Sequence, residues 1–238
     1  MLIVGNQKTY LSKEAVLEFV SKIKDYRNNN VVICPSYLYI DLFCSNTDLI
    51  VGSQNVSEKE ISSMTGEITA RQLSSMGIKY CIVGHSERRE YLKENSDVFA
   101  NKIKNLIDNN IIPIFCVGEK QTEKGNNLTK DVVGKQILEV LSNFASCDIK
   151  NIVIAYEPVW AIGTGLVPTN EEIIDVVNYI KDLISDKFGI NLLVLYGGSV
   201  NKKNISLLNQ ISSIDGYLIG GASTKVDEFI YIVSECSK

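Results

Sequence analysis

The sequence predicts an α/β protein, a closed parallel (β/α)8 barrel that forms a single domain over residues 1–238. Three observations predict it: eight short apolar runs, amphipathic stretches between most of them, and a length near the roughly 250 residues of such barrels. Strands that alternate with helices imply a parallel sheet with right-handed crossovers, either closed or open and doubly wound. Eight units of about thirty residues favour the closed barrel.

The eight apolar runs are rich in Val and Ile, as is typical of strands buried on both faces. In chain order they cover residues 2–5, 31–34, 49–51, 79–83, 111–116, 152–156, 192–196 and 216–219. The predicted helices have apolar residues at amphipathic spacing, as at Val16, Val20 and Ile23. They cover residues 13–27, 97–109, 129–144, 169–188 and 224–236, and the fourth begins with a capping box of Thr169 and Glu172.

The composition limits the classes of function. Hydrophobic residues make up 45% of the chain and charged residues 22%, which suits a sizeable core. The 24 basic and 28 acidic residues give a net charge of −4, so no basic field attracts nucleic acid or anionic lipid. No uncharged apolar run approaches the roughly 18 residues of a membrane span, and the first residues lack a signal-peptide pattern. We therefore expect a cytoplasmic protein, with neither nucleic acid nor membrane as a partner.

The cysteines and the single histidine argue against disulfides and bound metal. The six cysteines are scattered without a Cys-x-x-Cys pair, and most lie in apolar runs, which indicates reduced, buried thiols. Close pairs of metal ligands are missing, and His85 is the only histidine. We expect no metal and no cofactor.

Polar residues follow the first and fourth predicted strands, at the end of the barrel where chemistry is found. Alternation along a strand would project Asn6 and Lys8 to one side and Gln7 to the other. His85 precedes residues typical of a helix N-terminus, whose amides would disfavour the imidazolium form. His85 is thus a candidate neutral hydrogen-bond donor. An ordinary polar strand end and a capped surface histidine are the alternatives.

A carboxylate and an apolar loop follow the sixth predicted strand. Glu157, held extended by Pro158, could act as a base, because desolvation on closure would raise its pKa. A salt-bridged glutamate at the rim is the alternative. Residues 159–165 form an apolar loop with two glycines that could close over a ligand. Alternatively, Trp160 anchors the core and the glycines only make a turn.

Glycine pairs follow the seventh and eighth predicted strands, in the segments Gly197-Gly198-Ser199 and Gly220-Gly221-Ala222. Without side chains, their backbone N–H groups can approach and bind an anion. Either pair alone could be a tight turn, but phosphate sites recur at these two positions of this fold. The sequence therefore predicts a phosphorylated ligand.

Five segments, spread in order over essentially the whole chain, resemble the signature motifs of the triosephosphate isomerase family. They are Asn6-x-Lys8, GHSERR at 84–89, AYEPVWAIGTG at 155–165, YGGSV at 196–200 and GGAS at 220–223. The resemblance implies a TIM barrel and an isomerase that needs no cofactor. It would interconvert dihydroxyacetone phosphate and D-glyceraldehyde 3-phosphate through an enediol(ate), in glycolysis and gluconeogenesis.

The resemblance also implies roles for individual residues. Glu157 would shuttle the proton, while neutral His85 would polarise the carbonyl. Lys8 would offset developing charge, Asn6 would orient the substrate, and Glu87 would be auxiliary. The substrate and its phosphate would be bound by Asn6, Lys8, Gly163, Ser199, Gly220 and Gly221. The lid would comprise Pro158, Val159, Trp160, Ala161, Ile162, Gly163, Thr164, Gly165, Leu166, Val167 and Pro168.

A homodimer is also implied by the resemblance. Residues 53–69, which include Thr65, resemble the family's third loop, which docks beside the active site of a second subunit. A mobile surface loop is the alternative.

The chain departs from the family pattern at three positions. Gln7 replaces the usual tryptophan, and Leu166 and Pro168 replace the usual Lys and Ala at the far hinge of the lid. Pro168 restricts Val167 as well as itself, which predicts altered lid kinetics. Two rival functions share the fold and the glycine turns: another sugar-phosphate barrel enzyme, and a barrel that binds phosphorylated ligands without turnover.

Overall fold

The strands form one closed, all-parallel ring in chain order, in which the last strand pairs with the first. The computed structural model describes residues 1–61 and 63–237, so Ser62 of the predicted dimer loop and Lys238 lie outside the described residues. The closed (β/α)8 barrel predicted from the sequence is confirmed. Its strands are β1 Leu2–Asn6, β2 Val31–Cys34, β3 Ile50–Ser53, β4 Tyr80–Val83, β5 Ile112–Val117, β6 Val153–Tyr156, β7 Leu193–Tyr196 and β8 Gly216–Ile219.

Helices connect the strands and surround the ring. In the described part of the chain they are α1 Lys13–Ile23, α2 Ile40–Asn46, α3 Ala70–Ser75, α4 Ser86–Tyr91, α5 Ser96–Asp108, α6 Gln121–Gly125, α7 Thr129–Leu141, α8 Ser146–Ile149, α9 Asn170–Phe188, α10 Ile205–Leu208 and α11 Val226–Glu235. The five predicted helices are α1, α5, α7, α9 and α11. The others are too short to show a repeating amphipathic pattern. Within residues 1–61 and 63–237, no helix combines the length and the apolar character needed to cross a membrane.

The core has two layers, because successive strand residues point alternately into the barrel and towards the helices. Val4, Ile114 and Leu195 pack inside the ring. Their neighbours Ile3 and Val194 belong to the larger cluster between strands and helices. Since both faces of each strand are covered, the strands read as continuous apolar runs in the sequence.

Some helix boundaries differ from those predicted. The first helix was predicted over residues 13–27 but ends at Ile23, where the N–H of Tyr26 donates to the Ile23 carbonyl at 2.9 Å and closes a tight turn. The last helix begins at Val226, because residues 221–224 form a separate 3-10 turn after β8. The capping box of Thr169 and Glu172 is present at the start of α9, as predicted.

All six cysteines are free thiols, as the sequence predicts, but the predicted burial is wrong for three of them, since Cys44 and Cys236 are partly exposed and Cys147 is exposed. Cys34, Cys81 and Cys116 are buried in the barrel wall. Burial raises the pKa of Cys81 to about 12, so this thiol stays protonated at neutral pH. Across the residues that the structure describes, no cluster of three or more His, Cys, Asp or Glu side chains is arranged to hold a metal ion.

Candidate active site

Glu157 and His85 meet at the carboxyl end of the barrel. Glu157 follows β6 and His85 follows β4, and the two residues are 3% and 5% exposed. Nε2 of His85 lies 3.2 Å from Oε1 of Glu157. At this distance the two side chains contact each other directly, and each can exchange a proton with a ligand that displaces this contact. The two residues singled out from different parts of the sequence are therefore neighbours.

The backbone around Glu157 requires two glycines. The N–H of Glu157 donates to the carbonyl of Val117 at 2.8 Å, which continues the pairing of β5 with β6. A Cβ atom at Gly118 would lie 1.8 Å from the carbonyl oxygen of Glu157. A Cβ at Gly197 would lie 2.7 Å from Cγ of the same residue. These close approaches hold the carboxylate in one place.

His85 is the N-cap of α4, and its ring accepts a hydrogen bond from that helix. The N–H of Glu87 donates to Nδ1 at 3.3 Å. A neutral ring that accepts at Nδ1 carries its hydrogen on Nε2, the atom that faces Glu157. The helix amides thus face the imidazole, as predicted from the sequence.

Glu157 and His85 change each other's pKa. Burial acts to raise the pKa of Glu157, but His85, Cys116 and Lys8 outweigh it and hold that pKa below its ordinary value. Burial acts to lower the pKa of His85, but the carboxylates of Glu157 and Glu87 outweigh it and raise that pKa. The raised pKa runs against the sequence prediction, in which the helix amides alone disfavour the imidazolium form, because that prediction did not include the two carboxylates. The desolvation of Glu157 expected from the sequence is present, but the neighbouring groups lower the pKa of Glu157 by more than desolvation raises it. Glu157 is therefore ionised at neutral pH.

Lys8 reaches the same region from a left-handed backbone conformation. Its φ is +50°, so strand alternation ends at Asn6 and does not orient Lys8. The N–H of Lys8 donates to Oδ1 of Asn6 at 3.1 Å, and Nε2 of Gln54 donates to the Lys8 carbonyl at 2.8 Å. Nζ of Lys8 contacts Oε1 of Glu87 at 2.5 Å. Asn6 and Lys8 line the same cavity, as predicted, and the buried side chain of Gln7 is turned towards the barrel wall. The reason given for Lys8 was wrong, because a turn orients its side chain and strand alternation does not.

A cavity of about 330 Å³ opens between these groups and the glycine turns. This volume is near the lower limit of the volumes of ligand pockets, which suits a small molecule. Glu87 lines an adjoining cavity instead, and Thr65 lines neither and is exposed on its loop. The predicted site residues that line the first cavity are Asn6, Lys8, His85, Glu157, Gly163, Ser199, Gly220 and Gly221.

The predicted lid borders this cavity with its middle residues. Ile162, Gly163 and Gly165 line the cavity, and the two glycines have φ values of +70° and +79°, which other residues rarely adopt. The hydroxyl of Ser199 donates to the carbonyl of Ala161 at 2.6 Å and ties the base of the lid to the turn after β7. Residues 163–167 are exposed to solvent. The lid thus stands at the mouth of the cavity.

Glu119 contacts the start of the lid, although no motif in the sequence singles it out. Its Oε1 accepts hydrogen bonds from the Trp160 indole at 2.7 Å and from the Tyr156 hydroxyl at 3.3 Å. Burial raises the pKa of Glu119, and its Oε2 has no hydrogen-bond partner among the described residues. Trp160 is partly buried and lies at the start of the lid. The position of Glu119 shortly after β5 was the available signal, since strand ends carry chemistry in barrels.

These features are those of a (β/α)8-barrel enzyme whose chemistry is acid–base. A family model described as triosephosphate isomerase matches residues 1–236. The chain belongs to the triosephosphate isomerase family. Similar proteins include the triosephosphate isomerases of Alkaliphilus oremlandii strain OhILAs at 39% identity, Ruthia magnifica subsp. Calyptogena magnifica at 37% and Dictyoglomus thermophilum at 37%. The alignments cover 98% of this chain and 97 to 98% of each relative.

Proposed function

We propose that this protein is an isomerase that interconverts dihydroxyacetone phosphate and D-glyceraldehyde 3-phosphate, the triose phosphates of glycolysis and gluconeogenesis. The observation that carries the proposal is the 3.2 Å contact between Glu157 and His85 at the edge of a small cavity that Lys8 and the glycine turns also line. The reaction moves a proton between adjacent carbons and a hydrogen between their oxygens. Family membership supports the same reaction.

Glu157 is the proposed base. Its ionised carboxylate takes a proton from the carbon beside the carbonyl and returns it to the neighbouring carbon. When substrate enters and separates Glu157 from His85 and from water, the largest influence that lowers the pKa of Glu157 is removed and desolvation remains. The pKa then rises towards the range of an effective base.

His85 and Lys8 serve the oxygens in this proposal. Nε2–H of His85 donates to the carbonyl oxygen and then to the enediolate oxygens, because Nδ1 is already occupied by the Glu87 amide. The ammonium of Lys8 offsets the negative charge that develops there, and the amide of Asn6 orients the substrate. Glu87 is auxiliary, since it holds the Lys8 ammonium at 2.5 Å.

The phosphate of the substrate binds, in this proposal, to backbone N–H groups of Gly163, Ser199, Gly220 and Gly221. All four residues line the cavity: Ser199, Gly220 and Gly221 lie in the turns after β7 and β8, and Gly163 lies in the lid. A Cβ at Gly220 or Gly221 would meet nothing closer than 3.6 Å, so space for a ligand, rather than packing, accounts for these glycines. The binding energy of the phosphate holds the reacting carbon against Glu157.

The lid, residues 158–168, closes over the bound intermediate. An enediol phosphate released to water eliminates its phosphate and gives methylglyoxal. Closure excludes water and keeps the reacting carbons in line with Glu157, so the lid protects the product as well as assisting the proton transfer.

A coupled assay on glyceraldehyde 3-phosphate tests the proposed function. Wild-type protein should turn over rapidly, and a Glu157→Gln variant prepared in the same way should not, which excludes contaminating host enzyme. If both were inactive while phosphorylated ligands still raised the melting temperature, a non-catalytic binding barrel or another sugar-phosphate substrate would replace the isomerase.

We further propose a homodimer in which residues 53–69 of one subunit enter the cavity beside Lys8 of the other. That cavity, of about 500 Å³, has the exposed apolar side chains Tyr91 and Leu92 at its edge. The loop exposes Met64 and Thr65, which are suited to fill it. Sedimentation at micromolar concentration should report a dimer, and Thr65→Arg should yield monomers of reduced activity. Ser21→Arg, on the exposed face of α1, is the control.

We place the protein in the cytoplasm. Six unpaired thiols in a chain of 238 residues support a reducing compartment, since secreted proteins usually pair their cysteines. Fractionation of the source cells, with the isomerase activity and its loss in a disrupted strain as markers, tests this location.

A further inference from the structure

A cavity of about 510 Å³ lies at the amino end of the strands, at the opposite end of the barrel from Glu157. It is lined by the first residues of four successive strands, which are Tyr80 of β4, Ile112 of β5, Val153 of β6 and Leu193 of β7. Val153 and Glu157 are four residues apart along extended chain, or about 13 Å. This cavity is therefore separate from the site of the acid–base chemistry.

The apolar part of the cavity is the first inward-facing layer of the barrel. Strand alternation turns Tyr80 and Ile112 the same way as Ile82 and Ile114, which pack inside the ring. That second layer is closed, since Ile82 and Ile114 are at most 1% exposed. The first layer is open on this side, because Leu193 is 47% exposed and Tyr80 and Ile112 are partly exposed. The described chain thus leaves an apolar surface uncovered at the amino end of the barrel.

The charged residues of the cavity leave one positive charge without a partner. Lys150, Lys181 and Asp215 line it. Oδ2 of Asp215 lies 2.8 Å from Nζ of Lys181 and also accepts the N–H of Val194 at 2.8 Å, so this carboxylate is already occupied. Lys150 is exposed and forms no ion pair with any residue in 1–61 or 63–237. The cavity therefore has a net positive charge, located at Lys150.

Neutral hydrogen-bond donors accompany this cation. The side-chain amides of Asn151 and Asn191 and the hydroxyl of Tyr80 make no hydrogen bond with the described part of the chain. An ionised carboxylate only accepts hydrogen bonds, and its bonds to a cation are stronger than those between neutral groups. A mostly apolar lining with a few convergent polar groups is typical of a small-molecule site, and the volume lies within the range of such sites.

We propose that this cavity binds a small amphipathic carboxylate, an acid with an aromatic or branched aliphatic body. The carboxylate pairs with the Lys150 ammonium and accepts from the two asparagine amides, while the apolar body covers Ile112 and Leu193. A sugar phosphate is a poorer match, because its hydroxyl groups would lie against aliphatic side chains without partners. This site goes beyond the proposed isomerisation and does not depend on it.

The test is a calorimetric titration of naphthalene-2-carboxylate into the full-length wild-type protein. We expect one molecule bound per chain. Naphthalene-2-methanol, which has the same ring system without the charge, should bind about two- to fivefold more weakly, the effect of one exposed ion pair. An excess of 2-phosphoglycolate, whose carboxylate and phosphate imitate the enediolate phosphate, should leave the affinity unchanged, because the two cavities are separate.

Substitutions within the cavity locate the binding. Leu193→Glu and Leu193→Gln have the same shape and differ in charge, and both are tolerable at a position that is 47% exposed. The glutamate variant should bind the naphthoate at least fivefold more weakly than the glutamine variant, because like charges repel. Lys150→Met should weaken binding about two- to fivefold. Lys13→Met makes the same change at the exposed start of α1, at the other end of the barrel, and should have no effect.

Absence of binding to the wild-type protein would overturn the proposal, as would displacement of the naphthoate by 2-phosphoglycolate. Equal affinities of Leu193→Glu and Leu193→Gln, with normal melting temperatures, would also overturn it. If Leu193→Glu does not fold, an affinity of Lys150→Met equal to that of Lys13→Met overturns it instead. Equal binding of the neutral alcohol would show an apolar pocket without preference for an acid. Failure of the proposed function is a different result, a wild-type protein that lacks isomerase activity whether or not it binds the naphthoate.

Discussion

Glu157→Asp is the substitution that tests the position of the carboxylate most directly, because it keeps the charge and removes one methylene. The carboxylate withdraws by about 1.5 Å, the length of one carbon–carbon bond. The backbone cannot follow, since the residue is packed against Gly118 and Gly197 and its N–H is bonded to Val117. A misplacement of about 1 Å costs on the order of a hundredfold in rate. We therefore expect kcat to fall by about 10² to 10³, or roughly 3 to 4 kcal/mol of barrier.

The assay for Glu157→Asp is the coupled reaction in both directions, with kcat and KM determined separately. KM should change little, because the phosphate turns after β7 and β8 are untouched and bind substrate and transition state alike. Glu157→Gln marks the background rate. A variant with near-normal kcat would refute the assignment of Glu157 as the base, and a large rise in KM alone would make it a binding residue.

Three further predictions address packing, the lid and pH. Gly197→Ala puts a methyl group 2.7 Å from Cγ of Glu157, so kcat should fall at least tenfold with a nearly unchanged melting temperature, checked by calorimetry beside kinetics. Pro168→Ala should speed lid opening in NMR relaxation dispersion, because it frees two residues of the hinge, and identical rates would contradict this. Glu94→Gln should lower the free energy of unfolding by roughly 2 to 3 kcal/mol at pH 7 and by much less at pH 3, measured by urea titration. Burial acts to raise the pKa of Glu94, but Arg88 and Lys102 outweigh burial and hold that pKa below its ordinary value. The stabilisation that the ionised Glu94 provides is therefore present above the pKa of the unfolded state and is lost as pH falls through the pKa of the folded state. An equal loss of stability at both pH values would contradict this.

The strands were predictable because each is covered on both faces. Val4 packs inside the ring and Ile3 packs under the helices, so both are buried and both are apolar. Each strand therefore appears in the sequence as a continuous apolar run. The short helices were not predictable, since α8 and α10 have four residues each and no periodicity. The positions of α8 and α10 depend on the path by which the chain returns to the next strand of the barrel, which no local sequence pattern encodes.

The site was predictable where chemistry follows a strand directly, as at His85 and Glu157. It was not predictable where a residue acts through contacts from outside the strand ends. Lys8 is oriented by a left-handed turn that Gln54, 46 residues away, helps to hold. Trp160 is held by a hydrogen bond to Glu119, 41 residues away along the chain. No local pattern of residue types records either arrangement.

The pairing of β1 with β8 closes the ring, and in doing so it joins Leu2 to Gly216, almost the whole chain apart. A polypeptide emerging from the ribosome can add strands one by one, but its first strand keeps an unpaired edge until the last is made. Any break in synthesis before residue 216 leaves two open edges that can pair with other chains. The pairing of β8 with β1 is therefore the step that removes the open strand edges at which chains aggregate. The same step brings all eight strand ends together around one substrate.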